Sequence, residues 1–100
     1  MDELKVRILV EEIQELTSAG KQGDELALKY KEAGNLSIEE HPNLALGFYE
    51  KALKVIGVSK RIKVSLLGDV AYALESLGKT EEADSYLEAA KLAMHSGRSD

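Results

Sequence analysis

Cysteine is absent from the sequence, and several other residue types are scarce. Without a thiol the chain can form neither a disulfide nor a thiolate nucleophile or metal ligand. Tryptophan is also absent, aromatic residues make up 5% of the chain, and the single proline is Pro42. No apolar run approaches the roughly 18 residues that a membrane-spanning helix needs. These absences favour a cytoplasmic protein with no membrane association.

The charge balance is acidic, with 18 carboxylate side chains against 13 Lys and Arg and a net charge of −5. Such a surface repels nucleic-acid phosphates and anionic lipids, so neither is an expected partner. A short basic run contains Lys60, Arg61 and Lys63. Because no aromatic residues are interleaved with it, we interpret this run as a solvated helix face.

The residues that are abundant, Ala, Leu, Glu and Lys, favour helix. In 100 residues, the length of one domain, apolar side chains recur at helical spacing in five segments. The predicted helices cover about residues 2–17, 24–39, 42–57, 59–78 and 80–95. Their predicted N-terminal caps are Asp2, Asp24, Ser59 and Thr80. The inward positions are predicted to include Ile56, Leu87 and Met94, and the fold class is all-α.

The third and fifth predicted helices match each other at an offset of 38 residues, as from Ala45 to Ala83. The second and fourth match at an offset of 37, as from Gly34 to Ala71. Spacing of this order is typical of helical hairpin repeats. Small matched residues let helices approach closely, namely Gly34, Ala45, Ala52, Ala71, Ala83 and Ala90. Large residues beside them fill the remaining space, namely Tyr30, Tyr49, Leu67 and Leu87.

This order of large and small residues resembles the tetratricopeptide repeat (TPR) family. The first copy carries it at Tyr30, Ala33, Gly34, Ser37, Ala45, Tyr49 and Ala52. The second copy carries it at Leu67, Val70, Ala71, Leu74, Gly78, Ala83, Leu87 and Ala90. The resemblance covers about residues 24–95, and the first copy departs from it in the turn, where His41-Pro42 replaces the usual Gly.

The resemblance implies one domain, residues 1–100, of two stacked αα-hairpins. Residues 24–57 form the first hairpin, residues 58–95 the second, residues 1–19 an N-terminal capping helix, and residues 96–100 a frayed tail. Two alternatives stay open. One is a five-helix bundle without repeat ancestry, and the other pairs helix one with two and helix three with four.

The segment Lys31-Glu32-Ala33-Gly34-Asn35 resembles the first repeat of TPR domains that clamp the C-terminal carboxylate of a peptide. Lys31 and Asn35 are four residues apart, so they share a helix face and offer hydrogen-bond donors. The sequence departs from the clamp at Asp69, where the family has a second Asn. An Asp repels a carboxylate unless it is paired, and the basic residues of a third repeat are missing.

We therefore predict a non-catalytic protein–protein interaction module, an adaptor or scaffold. A peptide or helix of a partner protein is expected to bind in a groove between the second and fourth helices. The predicted binding residues are Leu28, Lys31, Asn35, Ile38, Asp69 and Tyr72.

No enzyme activity, cofactor or metal is expected. Neither His41 nor His95 has a second ligand at metal-binding spacing, and there is no glycine-rich phosphate loop. The alternative function is self-association into a homo-oligomer through a seam of Leu87, Leu92 and Met94.

Overall fold

The computed structural model describes residues 2–96, which form five α-helices and confirm the all-α prediction. The helices are α1 (Glu3–Ser18), α2 (Asp24–Ser37), α3 (Pro42–Leu53), α4 (Lys60–Ser76) and α5 (Thr80–Ser96). Residues 97–100 and the side chain of Ser96, within the predicted frayed tail, lie outside the described part.

The helices form a thin, two-layered slab. Each helix packs against the next along the chain, and α2 also contacts α4. The Cα atoms extend over 39 × 33 × 14 Å. A thickness of 14 Å fits one helix-to-helix spacing of about 9 Å plus a Cα diameter of about 5 Å. These contacts are those of two stacked hairpins, α2 with α3 and α4 with α5, with α1 packed against α2.

The helix starts follow the predicted caps in part. The Asp2 carboxylate accepts a hydrogen bond from the Lys5 amide at 3.1 Å, which confirms Asp2 as the cap of α1. The prediction for Asp24 was wrong, because Gly23 holds the N-cap position with a φ of 89°. Ser59 precedes α4 as predicted, but its side chain makes no capping bond.

Three hydrogen bonds tie the first residue of α2 and the loop before it to the loop after α3. The Gly23 amide donates to the Ile56 carbonyl at 2.9 Å, and the Ile56 amide donates to Gln22 Oε1 at 2.9 Å. The Ser59 amide donates to Asp24 Oδ1 at 2.7 Å. We call this set of bonds the loop tie; it fixes the ends of the first hairpin to each other.

The loop tie explains why two predictions around it were wrong. The third helix ends at Leu53 instead of continuing to Gly57, because the following backbone bonds to the other loop. Ile56 was predicted to face inward, but its side chain is 72% exposed. Its amide and carbonyl are held in the tie, which leaves the side chain in solvent.

Close packing between α2 and α3 depends on one glycine. Gly34 lies under the ring of Tyr49, which is only 2% exposed. A Cβ placed on Gly34 would lie 2.8 Å from Tyr49 Cδ1 and 2.9 Å from Cζ, inside van der Waals contact. Small side chains serve the same purpose elsewhere, since the fully or almost fully buried alanines include Ala27, Ala45, Ala52, Ala71 and Ala83.

The second hairpin is less covered than the first. Leu87 and Met94 were predicted to face inward, but they are 40% and 53% exposed. The position that matches Leu87 in the first hairpin is Tyr49, which is buried where α4 packs on α3. No helix within residues 2–96 covers α5 in the same way. Helical periodicity identified the apolar side of α5, but it did not reveal that Leu87 and Met94 are exposed.

Substituting Gly34 by Ala is expected to lower the free energy of unfolding by about 1–3 kcal/mol, because the new methyl group overlaps the Tyr49 ring. Gly47 in α3 is the matched control, since a Cβ there meets no atom within 4 Å. Gly47→Ala should raise stability by about 0.5–1 kcal/mol, as expected for an unhindered helix position. Urea denaturation measures both, and equal effects of the two variants would contradict the packing described.

Candidate functional site

The six residues predicted to bind a partner lie on one surface formed by α2 and α4. We call it the α2–α4 face, and it consists of Leu28, Lys31, Asn35, Ile38, Asp69 and Tyr72. Leu28, Lys31 and Asn35 of α2 and its C-cap Ile38 are spaced three or four apart, which places them on one side of that helix. Leu28 is 45% exposed and Tyr72 is 54% exposed. The other side chains are exposed at Asn35 and half-buried at Lys31, Ile38 and Asp69.

An ion pair crosses the α2–α4 face from one hairpin to the other. Lys31 Nζ lies 2.7 Å from Asp69 Oδ2, and the two side chains are 21% and 24% exposed. Asp69 was the departure from the clamp pattern, where an unpaired carboxylate would repel a bound one. The structure pairs it with Lys31, so the two formal charges cancel. The Lys31 ammonium already has a carboxylate partner and is not available to bind an external one.

Asn35 is held by a residue that lies beneath the face. The Tyr49 hydroxyl donates a hydrogen bond to Asn35 Oδ1 at 2.7 Å, although the Tyr49 ring belongs to the core. Sequence reasoning treated Tyr49 only as a space-filling side chain and missed this role. The bond uses the amide oxygen of Asn35. Within residues 2–96 no acceptor bonds its Nδ2 group, which therefore keeps two donors directed at solvent.

The Tyr49 hydroxyl has a strongly perturbed acidity. Burial raises the pKa of this group above its ordinary value of 10.0, and the neighbouring Asp69 carboxylate and Tyr72 raise it further. The hydroxyl therefore keeps its proton through the neutral range and remains the donor to Asn35. The hydrogen bond orients the Asn35 amide in the absence of any ligand.

The raised pKa makes part of the stability depend on alkaline pH. Because the folded state binds this proton more tightly, its contribution is complete below the ordinary pKa of 10.0 and is lost as the pH rises above it. We expect tyrosinate absorbance from Tyr49 to appear only as the protein unfolds. The titration of absorbance should therefore end in a late step that coincides with unfolding. Tyr49→Phe should lack this step, and its free energy of unfolding should fall less steeply with rising pH. Tyr30→Phe should retain the step. A wild-type titration without a late step would refute the assignment.

The ion pair predicts a measurable coupling between the hairpins. Lys31→Ala, Asp69→Ala and the double variant form a cycle whose coupling free energy should be about 0.5–1 kcal/mol in urea denaturation. Lys29 and Glu12 provide the comparison, since they pair at 3.1 Å with side chains 27% and 44% exposed. Their coupling should be smaller, because water screens them more. A Lys31–Asp69 coupling of zero would show that the pair does not join the hairpins in solution.

Chemically, the α2–α4 face offers apolar contact, amide donors and a neutralised ion pair. Among residues 2–96 no group of three or more His, Asp or Glu side chains is arranged to hold a metal ion. Over the same residues, no helix combines the length and apolarity that crossing a bilayer requires. Comparison with protein-family models, with curated proteins and with solved structures gave no significant match. What the chain does is therefore inferred from its own geometry.

Proposed function

We propose that this chain is a non-catalytic adaptor of TPR-like character that binds a peptide segment of another protein on the α2–α4 face. The observation that carries the proposal is the exposure of Leu28 and Tyr72 beside polar groups that internal bonds already hold in place. A peptide that covers these side chains removes apolar surface from water. It also finds Asn35 oriented in advance, which lowers the entropy lost on binding.

The spacing of the two apolar side chains suits an extended peptide. The repeat alignment puts Tyr72 level with Asn35, seven residues beyond Leu28, which is about 10 Å along the helix axes. The axes of packed helices are about 8–10 Å apart, so the two side chains are separated by roughly 14 Å. About four residues of extended chain span that distance. Two apolar peptide residues four positions apart therefore match this face.

The charges on and beside the α2–α4 face favour a basic peptide over a free carboxylate. Lys31 and Asp69 neutralise each other, and Glu32, one turn from Leu28, is exposed and forms no ion pair within the described residues. The Asn35 Nδ2 group is a neutral donor that suits a peptide carbonyl. The proposed ligand thus differs from that of the carboxylate clamp: an internal segment with two apolar residues and a nearby Lys or Arg.

Leu28 and Tyr72 provide the sharpest test, because within residues 2–96 neither side chain forms a hydrogen bond that its removal would break. Wild-type protein would select peptides from a random display library, and fluorescence anisotropy would give their Kd values. Leu28→Ser/Tyr72→Ser should weaken the selected peptides by about 30-fold or more, the size expected for two central contacts. Leu92→Ser is the control; this side chain on α5 is 64% exposed, and its loss should leave Kd unchanged.

Three outcomes would count against the proposal. Equal affinity of the double variant and wild type would show that the peptides bind outside the α2–α4 face. Selection of peptides that depend on a free C-terminal carboxylate would contradict the charge argument. If the folded protein enriches no peptide more strongly than the urea-unfolded protein does, the proposed adaptor function is wrong. Lys31→Ala/Asn35→Ala is a poorer probe, because both side chains have internal partners and their loss also changes stability.

A further inference from the structure

The two ends of the helix stack carry unpartnered apolar side chains. Equivalent positions differ in exposure between the hairpins: Tyr49 is 2% exposed and its match Leu87 is 40% exposed. Ala52 is fully buried, whereas its match Ala90 is half-buried. We call the surface around Leu87 the α4–α5 end face. Its residues are Lys60, Arg61, Val64, Leu87 and Met94, four of which line a shared pocket: Lys60, Arg61, Val64 and Met94.

The opposite end of the stack is the outer side of α1. Leu9 and Ile13 are buried on its inner side, where α1 packs against α2. The outer side carries four exposed residues spaced four, three and four apart, which we call the α1 end face: Leu4, Ile8, Glu11 and Glu15. Leu4 is 64% exposed and Ile8 is 45% exposed, so two large apolar side chains lie beside two carboxylates.

The two end faces are complementary in charge as well as in apolar character. The α4–α5 end face places Lys60 and Arg61 beside Val64 and Met94. The α1 end face places carboxylates beside Leu4 and Ile8. Within residues 2–96 none of the charged side chains at Glu11, Glu15, Lys60 or Arg61 forms an ion pair. Arg7 is also exposed on α1, one turn from Glu11, so two carboxylates and one cation there face two cations at the other end.

We propose that copies of this chain associate head to tail, the α1 end face of one copy against the α4–α5 end face of the next. Joining two identical ends would bring like charges together, the cations in one case and the carboxylates in the other. A contact between different faces leaves one complementary face open at each end. Association then continues into a ring or an open array instead of stopping at a two-fold dimer.

This contact differs from the seam of Leu87, Leu92 and Met94 that was predicted from the sequence. Leu87 and Met94 are seven residues apart and lie within about 20° of each other around α5. Leu92 is five residues from Leu87, which places it about 140° away around the helix. Leu92 therefore belongs to a different side of α5, and the contact uses Leu87 and Met94 together with α4.

Charge reversal tests the head-to-tail contact. Analytical ultracentrifugation should show the mass of wild type rising with concentration, from about 10 μM to about 1 mM, the range of a weak contact. Glu11→Lys/Glu15→Lys alone and Lys60→Glu/Arg61→Glu alone should both stay monomeric. Mixed in equal amounts they should associate again, because each junction between the two different variants pairs opposite charges. Lys51→Glu/Lys54→Glu makes the same net charge change as Lys60→Glu/Arg61→Glu, at the C-terminal end of α3, and should behave as wild type.

Two results would overturn the proposal. Wild type that stays monomeric throughout the range would show that the two end faces do not bind each other. A single reversed variant that associates as wild type does would show a contact between identical faces or a contact elsewhere. All four exchanged residues are exposed, and circular dichroism of each variant verifies that its helices are intact.

Discussion

The contact between the Tyr49 ring and the backbone of Gly34 is the constraint on which the rest of the structure depends. It sets how closely α2 approaches α3, because any side chain at position 34 would hold the two helices apart. It also fixes where the Tyr49 hydroxyl emerges, and that hydroxyl reaches Asn35, the residue next to Gly34. One aromatic side chain therefore belongs to the core by its ring and to the candidate binding surface by its oxygen.

The polar side chains of the α2–α4 face are held in place by this packing. Asn35 is oriented from below by Tyr49, and Lys31 is oriented from the side by Asp69. The first bond lies within one hairpin and the second crosses between hairpins, so the face is defined by the stacking and not by α2 alone. Leu28 and Tyr72 remain exposed around these fixed polar groups. Because these polar groups are already ordered, a ligand that contacts them loses less entropy on association.

The sequence contained enough to predict the five helices and to place Leu28, Lys31 and Asn35 on one side of the second helix. Both follow from the helical period, which is a local property of residues three and four apart. The pairing of Lys31 with Asp69 was not predictable, because it depends on the register of one hairpin against the next. The exposure of Leu87 was missed for a related reason: periodicity identifies an apolar stripe and does not reveal whether another helix covers it. Ile56 was misplaced because it enters the loop tie through its backbone amide and carbonyl, and the identity of its side chain does not signal those bonds.

The loop tie has a consequence for the order in which the molecule opens. In a stack where each hairpin contacts only its neighbours, local unfolding begins at the unit with the fewest anchors. The first hairpin is closed by the tie and flanked on both sides, by α1 and by α4. Within residues 80–95, α5 buries a single side chain completely, that of Ala83. Amide hydrogens should therefore exchange faster in the two terminal helices, α1 and α5, than in α2 and α3, although all five helices look equally regular.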